Sequence, residues 1–191
     1  MKKSSGSLKF TEHNTMQHAF QDDYAAQFSH CYGCGYGNAH GLQLKSYWDG
    51  EDTVARFTPN AHYSGGVPHH VYGGLMASLL DCHGTASAYA AYRRAMPESE
   101  QEAAPRFVTA QLNIRFRQPA PMGAELTVRA KNFRLEGRKV WLDLSLSANG
   151  AVCAEAQMLA VLWQSETFAK VCNVDAVRRD STAESADISY R

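Results

Sequence analysis

An α+β domain, with one long central helix wrapped by a curved antiparallel sheet, is the architecture this sequence predicts. Three observations predict it. Gly73 to about Met96 is a proline-free stretch rich in Ala, Leu and Met with no polar face, and a helix that is apolar all round has to be surrounded. From Phe107 onward the hydrophobic period falls to two over four long segments, the pattern of strands. Asn149-Gly150 joins the last two, and both residues tolerate the positive φ of a type I′ hairpin. One flat sheet face cannot satisfy such a helix. The sheet should curl, and a second surface, read as another subunit, should cover the rest.

The elements follow in order. Residues 1–30 are polar, with a weak helical stretch around Thr15 to Phe28, and read as an N-terminal extension. The domain itself is expected over 31–164, and 165–191 as a polar C-terminal tail. Cys31 to Gly41 is a Gly- and Cys-rich turn region. Two short alternating segments, Leu42–Trp48 and Thr53–Thr58, flank the hairpin dipeptide Asp49-Gly50. Ser64-Gly65-Gly66 and Pro68 make an irregular loop before the helix. In the first long strand Val108, Ala110, Leu112, Ile114 and Phe116 alternate with Thr109, Gln111, Asn113, Arg115 and Arg117, which puts Thr109 on the polar face. Leu126, Val128 and Ala130 share a face of the next strand, and Val140, Leu142, Leu144 and Leu146 continue after a turn at Gly137. Val152, Ala154, Ala156, Met158, Ala160 and Leu162 are expected to face inward on the last.

Composition limits the function classes. The 191 residues carry 19 basic and 19 acidic side chains, a balance unlike that of a general nucleic-acid binder. Five scattered cysteines make a poor disulfide framework, so the reducing cytoplasm is the expected location. No apolar h-region follows the basic first residues, and no secretory signal is expected. Gly73 to Tyr92 is about long enough to span a bilayer, but it contains Asp81, and a carboxylate in lipid is costly. A helix buried in a protein core is the better reading.

Three local patterns resemble the hotdog-fold thioesterases, specifically the phenylacetyl-CoA thioesterase-like (PaaI-type) group. They are Cys31-Tyr32-Gly33-Cys34-Gly35 continuing through Asn38 to Gly41-Leu42; Gly73-Gly74 followed, after six intervening residues, by Asp81; and Val108 to Ile114 followed by Pro119-Ala120. Together with the element order they cover about residues 31 to 163. The resemblance implies a hotdog fold and hydrolysis of an acyl-CoA or related thioester, without metal or bound cofactor. A homodimer is expected from helix geometry, and the sequence leaves a single dimer and a dimer of dimers both open. The resemblance makes Asp81 the catalytic carboxylate, Gly73 the residue whose N–H polarises the thioester carbonyl, and Thr109 a hydroxyl that helps position water. Two positions depart from the pattern: Tyr72 stands where a histidine is usual, and Gly66 where some members have asparagine.

The chemistry is sound on its own terms. Gly73 and Gly74 fall at the predicted helix start, where N–H groups lack intrahelical partners and the dipole favours negative charge. Asp81 in an apolar helix is suited to act as a general base or as a nucleophile. Eight residues at 1.5 Å rise separate Gly73 from Asp81 by about 12 Å, too far for both to serve one carbonyl carbon. Two antiparallel copies can share the work, Gly73 of one facing Asp81 of the other. Ala77, Ser78, Gly84 and Thr85, all small, surround Asp81 at i±3 and i±4. Tyr72, Gly74, Ser78 and Thr85 are therefore the expected substrate-contacting positions. Tyr72, Tyr63, Tyr89 and Phe116 suit a tunnel for aromatic or medium-length acyl groups, and suit a core equally well. A non-catalytic binding module for thioesters or small ligands on the same fold is the alternative function.

Other constellations carry less. Cys31-x2-Cys34 with His30 and His40 nearby has no second CxxC pair, so it reads as a tight turn rather than a zinc site. His69-His70 lacks an HExxH context, and adjacent Cys82 and His83 cannot form a dyad on one helix. There is no GxSxG elbow and no Walker or dinucleotide motif. Residues 105–140 hold eight basic against two acidic residues. Guanidinium forks suit coenzyme A phosphates, and a solvated strand face carries such charges as readily.

Overall fold

The computed structural model describes residues 18–97 and 105–163. Strands β1 (Ser46–Asp49) and β2 (Asp52–Phe57) precede helix α1 (Gly73–Ala95). Strands β3 (Phe107–Phe116), β4 (Leu126–Glu136), β5 (Lys139–Ala148) and β6 (Ala151–Leu162) follow it. They form one antiparallel sheet in the order β1-β2-β4-β5-β6-β3, with α1 packed across it. This is the expected hotdog architecture. Among the described residues, no helix is long and apolar enough to cross a membrane.

Turn chemistry sets the register. Asn149 and Gly150 both take positive φ, and Ala148 pairs with Ala151 across them. Gly50 and Gly137 also take positive φ, at the β1–β2 and β4–β5 turns. β1 starts later than expected, because Gln43 takes a positive φ that breaks the extended run from Leu42.

Three bulges correct the simple alternation. Opposite Leu159 and Ala160 of β6, strand β3 has Gln111 and Thr109 in register, and Ala110 is the extra residue. Beyond the bulge Leu112 and Ile114 pair with the inward-facing Met158 and Ala156, whereas before it Thr109 pairs with inward-facing Ala160. Thr109 therefore turns to the helix side, and Ala110 is exposed. In β4, Asn132 at positive φ and Phe133 together oppose Leu142. In β6 the register slips at Cys153, which is buried, and Val152 faces out at 41% exposure rather than inward.

The core lies between α1 and the sheet. Leu79, Leu80, Leu126, Val128, Val140 and Leu146 are fully buried, each worth about 1.5–3 kcal/mol of apolar transfer. Gly84 lets the helix approach the sheet, for a Cβ there would lie 2.5 Å from Met158 Sδ and 3.0 Å from Leu144 Cδ1.

Much of the second cover on α1 comes from the chain itself. Every residue from Cys82 to Ala91 is buried. The segment before β1, whose first part was read as an extension, supplies Phe20, Tyr24, Cys34, Leu42 and Leu44 to the core, partly as 3-10 turns. Gln21 is buried too. Its Oε1 accepts from the Ser46 N–H at 2.8 Å, and its Nε2 donates to Ser46 Oγ at 3.0 Å. Ser46 Oγ lies 3.0 Å from His83 Nδ1, and Thr53 Oγ1 lies 3.2 Å from His83 Nε2. This network anchors the N-terminal segment, β1 and β2 to the helix. Before its last turn, α1 keeps one half-exposed stripe, Gly73, Gly74, Ala77, Ser78 and Asp81.

Candidate active site

That stripe carries the candidate catalytic groups. Tyr72 is the N-cap of α1, with extended φ and ψ and no side-chain hydrogen bond to the first turn. Its carbonyl accepts from the N–H groups of Leu75 and Met76. The N–H groups of Gly73 and Gly74 precede the first intrahelical bond and lie at the positive end of the dipole. A carbonyl oxygen gaining charge is the acceptor such groups suit.

Aromatic rings flank this helix start. A Cβ on Gly73 would stand 3.7 Å from the Phe116 ring, an ordinary contact, whereas one on Gly74 would collide with the Tyr72 ring. Tyr72 therefore folds back over Gly74 while remaining 58% exposed, and Phe116 is also exposed. Tyr63 is nearby: its carbonyl accepts from the Tyr72 N–H at 2.9 Å, and its ring packs against Phe57. Tyr89 does not join them. Sixteen residues along α1 put it about 24 Å away, buried against Tyr24, with its hydroxyl donating to Asp23 at 2.9 Å.

Asp81 is half-buried, two turns along. Thr109 Oγ1 donates to Asp81 Oδ1 at 2.5 Å. The bond ties the helix carboxylate to β3, an edge strand, and leaves Oδ2 for a proton or an electrophile. Ser78 and Thr85 are adjacent in space but turn their hydroxyls inward. Ser78 donates to the Gly74 carbonyl at 2.9 Å, and Thr85 donates to the carbonyls of Asp81 and Cys82 at 3.2 Å each. Half-exposed Ser78 offers an incoming group small size rather than a hydrogen bond, whereas Thr85 is buried.

The neighbours Cys82 and His83 point apart, as expected of adjacent helical residues. Cys82 Sγ approaches Cys31 Sγ at 3.6 Å, and His83 enters the Ser46–Thr53 network. Burial pushes the His83 pKa down to about 3, which keeps the ring neutral. Of the basic cluster, Arg117 pairs with Glu155, Arg129 with Asp49 and Arg134 with Glu136. Arg115 and Lys131 border a groove of about 540 Å³ on the outer face of the sheet, away from Asp81. The sequence pattern did not reveal that Cys82 and Arg106 would meet the Cys31–Cys34 turn. That meeting depends on a contact 51 residues apart.

Known proteins place the chain. The thioesterase superfamily model matches residues 68–148, a span that includes Gly73, Asp81 and Thr109. A thioesterase superfamily protein from Shewanella loihica PV-4 is 44% identical, covering 72% of this chain and 97% of its own, with a TM-score of 0.55. Two others share the fold at low identity. The PaaI protein of E. coli, from its phenylacetic acid degradation operon, is 17% identical over 64% of this chain and 81% of its own, with a TM-score of 0.52. A thioesterase from Haemophilus influenzae is 14% identical over 69% and 85%, with a TM-score of 0.55. No curated protein matches the chain. A 44% identity over nearly the whole length of such a relative is decisive: the chain belongs to the thioesterase superfamily and is a thioesterase.

Proposed function

We propose that this thioesterase hydrolyses an acyl-CoA-type thioester at sites shared between two antiparallel copies. Asp81 comes from one copy and the Gly73 N–H from the other. The observation that carries the reading is the Thr109–Asp81 hydrogen bond, which fixes a carboxylate on the half-exposed stripe of an otherwise apolar helix. Asp81 either takes a proton from water or attacks the carbonyl carbon itself. In both routes negative charge moves onto the thioester oxygen, where the Gly73 amide receives it. The thiolate then leaves, and in the second route water hydrolyses the mixed anhydride to regenerate Asp81. No intrahelical placement lets one copy supply both groups, given about 12 Å between them. Tyr72, Gly74 and Ser78 border the approach with buried Thr85 beneath them, and Tyr72 and Phe116 offer aromatic surface to the acyl group. The cytoplasm is the compartment that suits the free cysteines.

The experiment is hydrolysis of a panel of acyl-CoAs by wild type and Asp81→Asn. Wild-type turnover with at least a hundredfold loss in the variant is the expected result. Tight thioester binding with no turnover above background would instead assign a binding module. Turnover untouched by Asp81→Asn would refute the mechanism.

A further inference from the structure

The turn at Cys31–Cys34 and helix α1 bring three thiols together outside the chemistry proposed above. The sulfurs of Cys31, Cys34 and Cys82 all lie within 4.8 Å of one another, and Cys31 and Cys82 stand 3.6 Å apart. In a tetrahedral thiolate site with metal–sulfur bonds of about 2.3 Å, the sulfurs are roughly 3.8 Å apart. Only a small adjustment separates the two arrangements.

The surroundings are shaped to these sulfurs. Backbone bonds close the turn around them: the Gly35 N–H donates to the Cys31 carbonyl at 2.9 Å and the Leu44 N–H to the Gly33 carbonyl at 2.9 Å. A Cβ on Gly33 would collide with Cys82 Sγ, so glycine is what lets the turn close on the third sulfur. Half-buried Arg106 lies within electrostatic reach of Cys34 and stacks over the Tyr24 ring at 4.7 Å. It supplies a positive charge beside the cluster. The buried Tyr24 hydroxyl, within electrostatic reach of Cys34 and Cys82, has no hydrogen-bond partner among the described residues. The three sulfurs thus form a single cluster that joins the turn to the helix. A disulfide would use two of the sulfurs and leave the third, with Arg106 and Tyr24, unexplained.

We propose that Cys31, Cys34 and Cys82 form a three-thiolate site for a thiophilic divalent ion, Zn²⁺ foremost, whose fourth position takes a water. Coordination displaces the thiol protons, up to three per ion. The ion staples the N-terminal turn to α1 one residue from Asp81. His30 and His40 are not part of the cluster.

The test uses the full chain, purified under reduction, dialysed against chelator and titrated with Zn²⁺ and Co²⁺. The expected results are one ion per chain, proton release on binding, and a Co²⁺ spectrum with thiolate charge-transfer and tetrahedral bands. Cys31→Ser and Cys34→Ser should each lose about 10–100-fold or more in affinity, and Cys153→Ser should lose none. Cys82 is in the core, so the wild-type Co²⁺ spectrum and half-buried Cys31 carry the test if Cys82→Ser does not fold. No stoichiometric uptake by reduced wild type, an all-oxygen octahedral Co²⁺ spectrum, or undiminished binding by Cys31→Ser and Cys34→Ser overturns the assignment. A Cys31–Cys82 disulfide in protein that takes up no ion also overturns it, and makes the cluster a redox pair.

Discussion

Thr109 reaches Asp81 because Ala110 is squeezed out of register with β6. Simple alternation puts the Thr109 hydroxyl on the solvent face, and the single extra residue at Ala110 brings it to the helix, 2.5 Å from Asp81 Oδ1. Bulges commonly re-aim a side chain beside a functional site.

Removing that hydroxyl should lower turnover without unfolding the protein. A hydrogen bond to a charged group is worth about 1.5–3 kcal/mol, so Thr109→Val is expected to reduce kcat about 10–100-fold. Thr109→Ser should keep most of it. Steady-state kinetics with melting curves on both variants check this, and equal kcat in Thr109→Val and wild type would remove Thr109 from the site.

Gly73→Pro removes one N–H and little else. Proline is accepted at the first helical position. Tyr72, at ψ 128°, already has the extended conformation that a residue before proline prefers. The space over Gly73 is open to 3.7 Å. The expected result is a Tm close to wild type with kcat lower by about 10²–10³. A large fall in Tm would show that the position is structural.

Gly84→Ala should act in the opposite way. The added methyl meets Met158 Sδ at 2.5 Å and Leu144 Cδ1 at 3.0 Å. Met158 can shift, so overpacking is expected to cost about 1–3 kcal/mol, read as a lower denaturant midpoint. Unchanged stability would mean that α1 moves away from the sheet at no cost.

His83 gives stability a pH dependence. Its folded pKa of about 3 lies below its ordinary 6.5. Between those values the unfolded chain binds the extra proton, so stability is full above about pH 6.5 and declines as pH falls toward 3. His83→Gln should be less stable at neutral pH and show a flatter decline from pH 6.5 to 4. Parallel Tm–pH curves for the two proteins would assign the acid sensitivity elsewhere.

The parts of the fold legible in the sequence were those governed by local chemistry. Asn149-Gly150 names its turn because few other residues accept two positive φ values, and α1 announces itself because an all-apolar helix has no other stable use. Leu126, Val128, Val140 and Leu146 could be assigned to the core from period two alone. The bulges at Ala110, Asn132 and Cys153 were not legible, since an inserted residue leaves no mark on composition while reversing every face beyond it. Val152 and Thr109 were misplaced for that reason. Residues 1–30 read as an extension because they are polar, yet within them contacts with β1 and α1 bury Phe20, Gln21 and Tyr24. Asp81 and Gly73 stood out as chemical anomalies in their own helix. The partner thiol for Cys31-x2-Cys34 did not, because it arrives from a distant element.

Mixing two inactive chains decides whether each site is shared between two copies. Gly73→Pro retains Asp81, and Asp81→Asn retains the Gly73 amide, so a heterodimer rebuilds one complete site from the two. After subunit exchange verified by mass-tagged chains, the mixture should recover about one active site per heterodimer, with each parent alone near background. No recovery in verified heterodimers would contradict sites shared between two copies.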